Sequence, residues 1–364
     1  MNENVSDFYF KVAGIRYYRL TDNTVAVVGG SDYSDDVIIP ESVIYDNIKY
    51  SVTKIGDHAF HDNYGFTRIS IPDTVTEIGD CAFLGCDVTS VVMPDSVTKI
   101  GQAAFMDCIW LTSIIIPESV TEIGEEAFLG CSGLTSVIIP DSVTEIGDCA
   151  FDECDGLTSI DVDSDNAVYC SVDGVLYSKD MKTLIVCPGG KQGSVEITDS
   201  VTKIYNCAFS ECRKLTSIKI PDSVTEIGES AFAYCDGLTS IKIPDSVTKI
   251  GESALYGCDG LTSVKIPESV TKIGELSCAR CSRLKNLCIG KNVREIESRA
   301  FDDCASIEEI EITAVVPPAV DENDYIFSTR VYARATLRVP EAAIESYRIA
   351  YPWRKFLTIK PLEK

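Results

Sequence analysis

Histidine and basic residues are scarce in this chain, and long apolar runs are missing from it. The 364 residues include two histidines, 32 lysines and arginines, and 56 aspartates and glutamates, for a formal net charge of -24 at pH 7. Such an acidic chain disfavours non-specific binding to nucleic acid or anionic lipid. No apolar run approaches the roughly 20 residues of a membrane-spanning helix. We therefore expect no nucleic-acid partner and no direct membrane insertion.

Catalytic signatures are missing as well. The sequence contains no GxSxG elbow, HExxH motif, P-loop or dinucleotide-binding fingerprint. Both histidines, His58 and His61, stand in the segment GDHAFHDN, where we expect exposed side chains with at most an incidental metal contact. We therefore predict that the chain is not an enzyme and has no catalytic residues, no cofactor and no metal site.

What the chain does have is a segment of 23 residues that recurs along most of its length. One clear copy is IPDSVTEIGESAFAYCDGLTSIK, residues 220–242. The prolines that start the copies are Pro72, Pro94, Pro117, Pro140, Pro221, Pro244 and Pro267, and Thr198 and Gly290 take this position in two further copies. The steps are 22 or 23 residues, except for one of 58 that contains an insertion of 35. A repeat of this length is typical of a solenoid, in which each copy packs only against its neighbours.

Each copy contains two candidate strands. The segment LTSIKI, residues 238–243, alternates apolar and polar residues, and a second extended piece includes Val224 and Ile227. Gly228 recurs at the same position in most copies, as expected where the backbone needs a positive φ or a tight turn. The segment ESAFAYC that follows predicts a short helical or 3-10 turn. The fold class is therefore an α/β repeat solenoid with short parallel strands and short helical/3-10 turns.

The sixteen cysteines are arranged by the repeat. Nine of them occupy one position of successive copies: Cys86, Cys108, Cys131, Cys154, Cys212, Cys235, Cys258, Cys281 and Cys304. Because a cysteine thiol behaves as a small apolar group that favours burial, we interpret these as core residues rather than as a disulfide framework. Cys278 and Cys281 form a CxxC pair, but a zinc site needs a second pair within reach.

Two polar positions of the repeat are explained by structural roles. An acidic residue follows most starting prolines, and we favour a turn in which this carboxylate accepts hydrogen bonds over a divalent-cation site. These acidic residues are Asp73, Asp95, Glu118, Asp141, Asp199, Asp222, Asp245 and Glu268. Another position mixes glutamate with lysine, for example Glu77, Lys99 and Glu122, which predicts a solvated face with weak ion pairs.

The sequence divides into three parts. We predict an N-terminal β-hairpin cap over residues 1–51, a solenoid over 52–313 with a β-hairpin insertion at about 163–197, and a small C-terminal cap over 314–364. Pro340 begins a short amphipathic helix in the last part. In the insertion, a disulfide between Cys170 and Cys187 and two separate thiols both stay open.

The repeat I-P-x-S-V-T-x-I-G-x-x-A-F-x-x-C-x-x-L-T-S-I-x-I resembles that of the BspA-like leucine-rich repeat surface proteins. The resemblance covers about residues 40–313 and includes the segments SVDGVLYSKDMKTLIVCPGGK and LRVPEAAIESYRIAYPWRKF. It implies a leucine-rich repeat horseshoe, located at the cell surface or outside the cell, that binds or adheres to host proteins. The chain shows no signal peptide, so a cytoplasmic location stays open.

In a leucine-rich horseshoe, the outward residue of each strand faces the concave surface. This position holds apolar residues in one stretch and lysines in the next: Val92, Ile115, Ile138, Lys219, Lys242 and Lys265. Exposed apolar patches often mark interaction sites, and adjacent like charges on a sheet are unfavourable. From these six residues we predict a concave binding site for a host or matrix protein or glycan. Drift among near-identical copies is the alternative at this position, and a structural protein with weak homo-association is the alternative function.

Overall fold

Most repeats form one coil with two short strands joined by turns in the computed structural model of the chain. The prediction of a strand at residues 238–243 is wrong, because these residues pair with no strand of a neighbouring coil. The structure describes residues 8–30, 36–321 and 325–363. Two compact units can be distinguished, Met1–Lys179 (unit 1) and Asp180–Lys364 (unit 2). Within each unit, equivalent strands of successive coils pair in parallel, so the predicted solenoid of short parallel strands is confirmed.

The strands of unit 1 are β1 (Tyr9–Val12), β2 (Ile15–Arg19), β3 (Thr24–Gly30), β4 (Val37–Ile38), β5 (Ser42–Tyr45), β6 (Ile48–Ile55), β7 (Arg68–Ser70), β8 (Glu77–Ile78), β9 (Ser90–Val92), β10 (Lys99–Ile100), β11 (Ser113–Ile114), β12 (Glu122–Ile123), β13 (Ser136–Ile139), β14 (Glu145–Ile146), β15 (Ser159–Val162), β16 (Tyr169–Val172) and β17 (Val175–Ser178). Strands β1, β2 and β3 pair antiparallel in that order, as do β5 with β6 and β16 with β17.

The coils of unit 1 contribute to two sheets. Sheet 1 continues from β3 and β6 through β8, β10, β12 and β14. Sheet 2 contains β4, β7, β9 and β11, and its next two strands, β13 and β15, pair with each other. The register places each residue beside the equivalent residue of the next copy, for example Ile78 beside Ile100. The repeat period is therefore also the period of strand pairing.

The elements of unit 2 are β18 (Thr183–Val186), β19 (Gly193–Glu196), β20 (Lys203–Ile204), β21 (Leu215–Lys219), β22 (Glu226–Ile227), β23 (Lys249–Ile250), β24 (Ser263–Ile266), β25 (Lys272–Ile273), β26 (Asn286–Ile289), β27 (Glu295–Ile296), β28 (Glu309–Ile312), α1 (Thr329–Arg334), β29 (Thr336–Val339), a 3-10 helix (Glu341–Ala343), α2 (Ile344–Ile349), a second 3-10 helix (Trp353–Lys355) and β30 (Thr358–Pro361). Sheet 1 here comprises β18, β20, β22 and β23, with β25 and β27 as a separate pair. Sheet 2 comprises β19 with β21, and β24, β26, β28, β29 and β30.

The core is built from columns of equivalent side chains. Phe60, Phe83, Phe105, Phe128 and Phe151 stack in unit 1 with ring centroids 5.0–5.5 Å apart. All nine cysteines of the predicted column are buried. Most of these thiols donate to a carbonyl of the preceding coil, as in Cys108 Sγ to Phe83 O at 3.1 Å. The interpretation of these cysteines as core residues is confirmed.

The serine that stands two residues after most starting prolines links neighbouring coils. Its hydroxyl donates to the backbone carbonyl of a valine in the preceding coil, as in Ser96 to Val75 at 2.5 Å and Ser119 to Val97 at 2.6 Å. The same bond joins Ser246 to Val224 at 2.6 Å in unit 2. This contact explains why the letters S and V recur together in the repeat.

The turn after the recurring glycine differs from the prediction. These glycines do not have a positive φ; the left-handed residue lies two positions later, as in Ala103 (φ 50°) and Glu126 (φ 56°). Left-handed residues interrupt a right-handed helix, so the predicted helical or 3-10 segment is instead a series of turns. The glycine is needed for close coil packing, because a Cβ on Gly124 would lie 2.6 Å from the backbone nitrogen of Gln102.

The last part of unit 2 continues the core with different elements. Phe327 stacks on Phe301 with centroids 5.3 Å apart. The buried Trp353 donates its Nε1–H to Pro318 O at 3.0 Å, and the Tyr347 hydroxyl donates to Ala314 O at 2.9 Å. The predicted division at residues 51 and 313 stays a proposal. None of the helices formed by the described residues has the length and apolar character needed to cross a bilayer.

Candidate binding surface

The predicted apolar residues of unit 1 lie on the solvent-exposed side of sheet 2. In β9 and β13, Val91 and Val137 point into the core, while the residues that follow them, Val92 and Ile138, are 72% and 65% exposed. Ile115 directly follows β11 and is 79% exposed. The two-residue alternation of a strand produces this arrangement. The structure therefore places Val92, Ile115 and Ile138 on one surface, in successive coils.

A fourth residue, Ile38 in β4, extends this row and was missed in the sequence. Its side chain is 74% exposed, and β4 pairs with β7 so that Ile38 lies beside Ser70, which in turn lies beside Val92. Ile38 stands two residues before Pro40, as Val92 stands two residues before Pro94, and this spacing was the available signal. We call Ile38, Val92, Ile115 and Ile138 the aliphatic stripe.

An acidic row borders the aliphatic stripe. It consists of Asp73, Asp95, Glu118 and Asp141, which are all exposed and stand three residues after positions 70, 92, 115 and 138. Three residues of chain span at most about 11 Å. Partial desolvation and the neighbouring Asp141 carboxylate raise the pKa of Glu118. Among the side chains that the structure describes, no lysine or arginine forms an ion pair with this row.

The predicted hydrogen bonds to these carboxylates are not formed. The serine or threonine that follows each of them donates to a carbonyl of the preceding coil instead, for example Ser142 to Val120 O at 2.7 Å. Within the described part of the chain, no backbone, serine or threonine donor bonds to the four carboxylates of unit 1. The acidic row therefore faces solvent.

The equivalent surface of unit 2 carries the predicted lysines. Lys219 lies beside Glu196 in the register of β21 and β19, and the two side chains form an ion pair. Lys242 and Lys265 are exposed. Further along the sheet, Lys265 lies beside Cys288, which lies beside Glu311. The structure thus gives Lys219 a carboxylate partner within its own surface.

Two cavities show how side chains meet on this surface of unit 2. One, of about 360 Å³, is lined by Lys219 and Lys242 together with Asp199 and Asp222. The other, of about 280 Å³, includes Lys265, Cys288 and Glu311. The first cavity shows that the outward position and the acidic position after it border the same space.

The exposed side of sheet 1 is neutralised by ion pairs between coils. Lys99 pairs with Glu122 at 2.8 Å in unit 1, and Lys249 pairs with Glu226 at 2.7 Å in unit 2. Lys54 contacts Glu77 at 3.0 Å in the same way. The interpretation as a solvated face with ion pairs is confirmed for these residues.

Comparison with known proteins identifies the repeat. The family described as BspA type leucine rich repeat region, with 6 copies, matches residues 47–170 and 190–317, more than half of the chain. The chain belongs to this BspA-type leucine-rich repeat family. The resemblance inferred from the repeat letters is thereby confirmed.

Solved structures of BspA-type and related repeat proteins are similar over most of their length. A leucine rich cell surface protein from Faecalibacterium prausnitzii is 32% identical, with a TM-score of 0.59, covering 84% of this chain and 95% of its own. A leucine-rich repeat protein from Eubacterium ventriosum is 25% identical, with a TM-score of 0.69 and coverages of 97% and 92%. The pneumococcal vaccine antigen PcpA has the same fold, with 23% identity, a TM-score of 0.78 and 98% coverage of both chains. Comparison with curated sequences gives no match.

The histidines of this BspA-type chain lie in the turn of an early coil. His58 and His61 are exposed as predicted, with ring centroids 5.6 Å apart, and His61 Nε2 lies 3.3 Å from an Asp62 oxygen. In the insertion, Cys170 and Cys187 are both thiols, and Cys170 donates to Ser178 O at 3.3 Å.

The exposed side of sheet 2 is the strongest candidate for a functional surface.

Proposed function

We propose that this chain is a non-enzymatic binding or adhesion module of a bacterial cell surface. It recognises a host or matrix protein or glycan through the exposed side of sheet 2. Membership of the BspA-type family supports the binding role. The cell-surface relative from Faecalibacterium prausnitzii, 32% identical over most of both chains, supports the location.

The observation that carries this proposal is the exposure of the aliphatic stripe. Three consecutive coils each present a branched aliphatic side chain that is 65–79% exposed. Leaving these groups in water forgoes the roughly 1.5–3 kcal/mol that full burial of such a side chain stabilises. An exposed row of such residues is typical of a surface that contacts a partner.

In unit 2 the proposal includes the exposed Lys242 and Lys265. These ammonium groups stand at the position that holds isoleucine or valine in unit 1, and they offer charge complementarity to an acidic protein or glycan. Lys219 belongs to the same proposed surface, but its pairing with Glu196 reduces its contribution. Unit 1 thus offers apolar contact, and unit 2 offers ionic contact.

An array of purified extracellular-matrix proteins and glycans tests the proposal. We expect at least one probe to bind the full chain. Its binding should be lost when Val92→Ser, Ile115→Ser and Ile138→Ser are combined, or when Lys219→Glu, Lys242→Glu and Lys265→Glu are combined. The matched control is Ile349→Ser with Leu357→Ser, since these aliphatic residues are 77% and 79% exposed outside the stripe.

The outcomes separate the proposed functions. Binding that is unchanged in both triple variants assigns recognition to another surface and overturns the site. No binding to any probe, together with a mass by light scattering that rises with concentration and falls in the serine variant, favours the self-associating structural protein. Circular dichroism melts of each variant establish that the fold is retained.

A further inference from the structure

The aliphatic stripe of unit 1 is chemically asymmetric across its width. On one side lies the acidic row of Asp73, Asp95, Glu118 and Asp141. On the other side the strand positions are held by Ser90, Ser113 and Ser136, and by Arg68 in the first of these coils. A partner that covers the stripe therefore meets negative charge along one edge and mostly neutral hydroxyl groups along the other.

Unit 2 shows what the same two positions do when their charges are balanced. There Lys219 and Lys242 line one cavity with Asp199 and Asp222, so that the lysines offset the aspartates of the acidic position. Glu268 at this position also pairs with Lys291. In unit 1 the outward residues Val92, Ile115 and Ile138 are aliphatic, and the described side chains provide no cation to the acidic row. The negative charge of unit 1 is thus left for a partner to neutralise.

The length and spacing of the stripe suit an α-helix that lies along the stack of coils. Strands of one sheet are about 4.8 Å apart, so the four steps from Ile38 to Ile138 span about 19 Å. A helix advances 5.4 Å per turn, and about 13 residues cover the same length. Aliphatic residues at i, i+3 or i+4 and i+7 would then meet successive coils, and basic residues on the flank of the helix would meet the acidic row.

We propose that the aliphatic stripe and the acidic row of unit 1 bind an amphipathic helix of a partner protein, with a seam of aliphatic residues and one flank rich in lysine or arginine. This deepens the proposed function and rests on it. A second copy of this chain is a poor occupant, because two acidic rows and two net charges of -24 would repel each other.

The test uses the full chain and three synthetic helical peptides of about 14 residues. The first carries leucine along one seam and lysine on one flank, the second has glutamate in place of the lysines, and the third has serine in place of the leucines. Fluorescence anisotropy measures their affinities. We expect the first peptide to bind the unmodified chain with an affinity at least about tenfold higher than that of either other peptide.

Charge reversal of the acidic row gives the sharpest outcome. Asp95→Lys, Glu118→Lys and Asp141→Lys together should transfer the preference from the lysine peptide to the glutamate peptide. Val92→Ser, Ile115→Ser and Ile138→Ser together should abolish binding of both the lysine peptide and the glutamate peptide. The matched control is Asp199→Lys, Asp222→Lys and Asp245→Lys together in unit 2, which makes the same charge change away from the stripe and should leave the preference unchanged.

Two results would overturn the inference. Equal binding of the leucine and serine peptides would indicate attraction to the net charge alone. The same conclusion follows if the unit 2 control changes the peptide preference as much as the unit 1 variant does. Failure of all three peptides, while a matrix protein still binds through Val92, Ile115 and Ile138, overturns the helix partner but leaves the proposed function in place. Loss of both kinds of binding overturns both.

Discussion

Lys219 of β21 forms an ion pair with Glu196 of β19, the residue directly beside it in the parallel register of sheet 2. Both side chains are largely exposed, at 71% and 69%. Hydrogen bonding to Glu196 raises the pKa of Lys219, so this ammonium group stays charged and engaged. The pair changes the binding surface predicted from the sequence, because one of its three lysines already has a partner.

The first prediction concerns this pair. Glu196→Gln should leave three lysines on the surface without this carboxylate and increase retention on a heparin column at low salt, since long-range attraction is then weakly screened. Lys219→Gln in the same background should reverse the gain. Glu308→Gln, which releases the exposed Lys285 with the same change in net charge, is the control. Equal gains for Glu196→Gln and Glu308→Gln would show that retention follows total charge rather than this surface.

A second prediction concerns the recurring glycine. A Cβ on Gly124 would lie 2.6 Å from both Gln102 N and Gly101 C, and backbone atoms cannot move aside. At Gly274 the nearest atoms are 3.3 Å and 3.4 Å away. We therefore expect Gly124→Ala to lower the free energy of unfolding by about 3 kcal/mol or more, and Gly274→Ala by about 1 kcal/mol or less.

Urea denaturation of the two alanine variants measures this difference. Both substitutions make the same chemical change in helix-free turns, so the unfolded chains are affected alike. Equal destabilisation by the two substitutions would show that coil spacing does not select the glycine.

These glycines illustrate what the sequence predicts and what it leaves open. The period of the repeat, the two strands of most copies and the buried cysteine column were predicted, because each follows from which positions are apolar in every copy, whereas the strand predicted at residues 238–243 does not form. The left-handed residues were not, because they are occupied by ordinary residues such as Ala103, Glu126 and Ser230. Hydrogen bonds between coils impose this conformation, as in Ala103 N to Glu125 O at 2.8 Å, and one copy alone does not specify them.

The candidate surface was predicted to a similar extent. The alternation within each strand was enough to place Val92, Ile115 and Ile138 on the exposed side. The ion pair of Lys219 was not predicted, because Glu196 lies in the insertion, where the repeat letters no longer give the register. Ile38 was missed since its copy departs from the repeat after Pro40. Both cases depend on strand pairing where the sequence pattern changes.

A third prediction concerns the cysteine column. Burial raises the pKa of Cys86 to about 12, and it also raises the pKa values of Cys108, Cys131 and Cys258. A thiol reacts as its thiolate, so these side chains should not react with Ellman's reagent at pH 8 while the chain is folded. Cys81, Cys170 and Cys288, which are only partly buried, should react before them.

Mass spectrometry of the modified peptides identifies which thiols react before and after addition of denaturant. Cys81→Ser, Cys170→Ser and Cys288→Ser combined is the control, and it should remove the fast phase without changing the protected set. Rapid modification of Cys131 in the native protein would contradict the buried column.

The last prediction concerns acid, through two glutamates of unit 2 with opposite shifts. A hydrogen bond from Lys249 lowers the pKa of Glu226, so its stabilisation is present above the unfolded value and is lost as the pH falls through the lower folded value. Desolvation and the neighbouring Glu229 raise the pKa of Glu252. The charged form of Glu252 therefore destabilises the fold near neutral pH, and this penalty disappears as the pH falls.

Glu226→Gln should thus lower the urea midpoint at pH 7, whereas Glu252→Gln should raise it. Both effects should be below about 1 kcal/mol, because the groups are partly exposed and screened by solvent. As the pH falls through the folded pKa values of both groups, the two variants should approach the unmodified chain. The two substitutions are chemically identical and remove the same formal charge. An effect of net charge alone would therefore shift the urea midpoint in the same direction for both variants. Shifts of the same sign at pH 7 would therefore contradict the assignment of their contacts, and opposite signs that converge in acid would establish it.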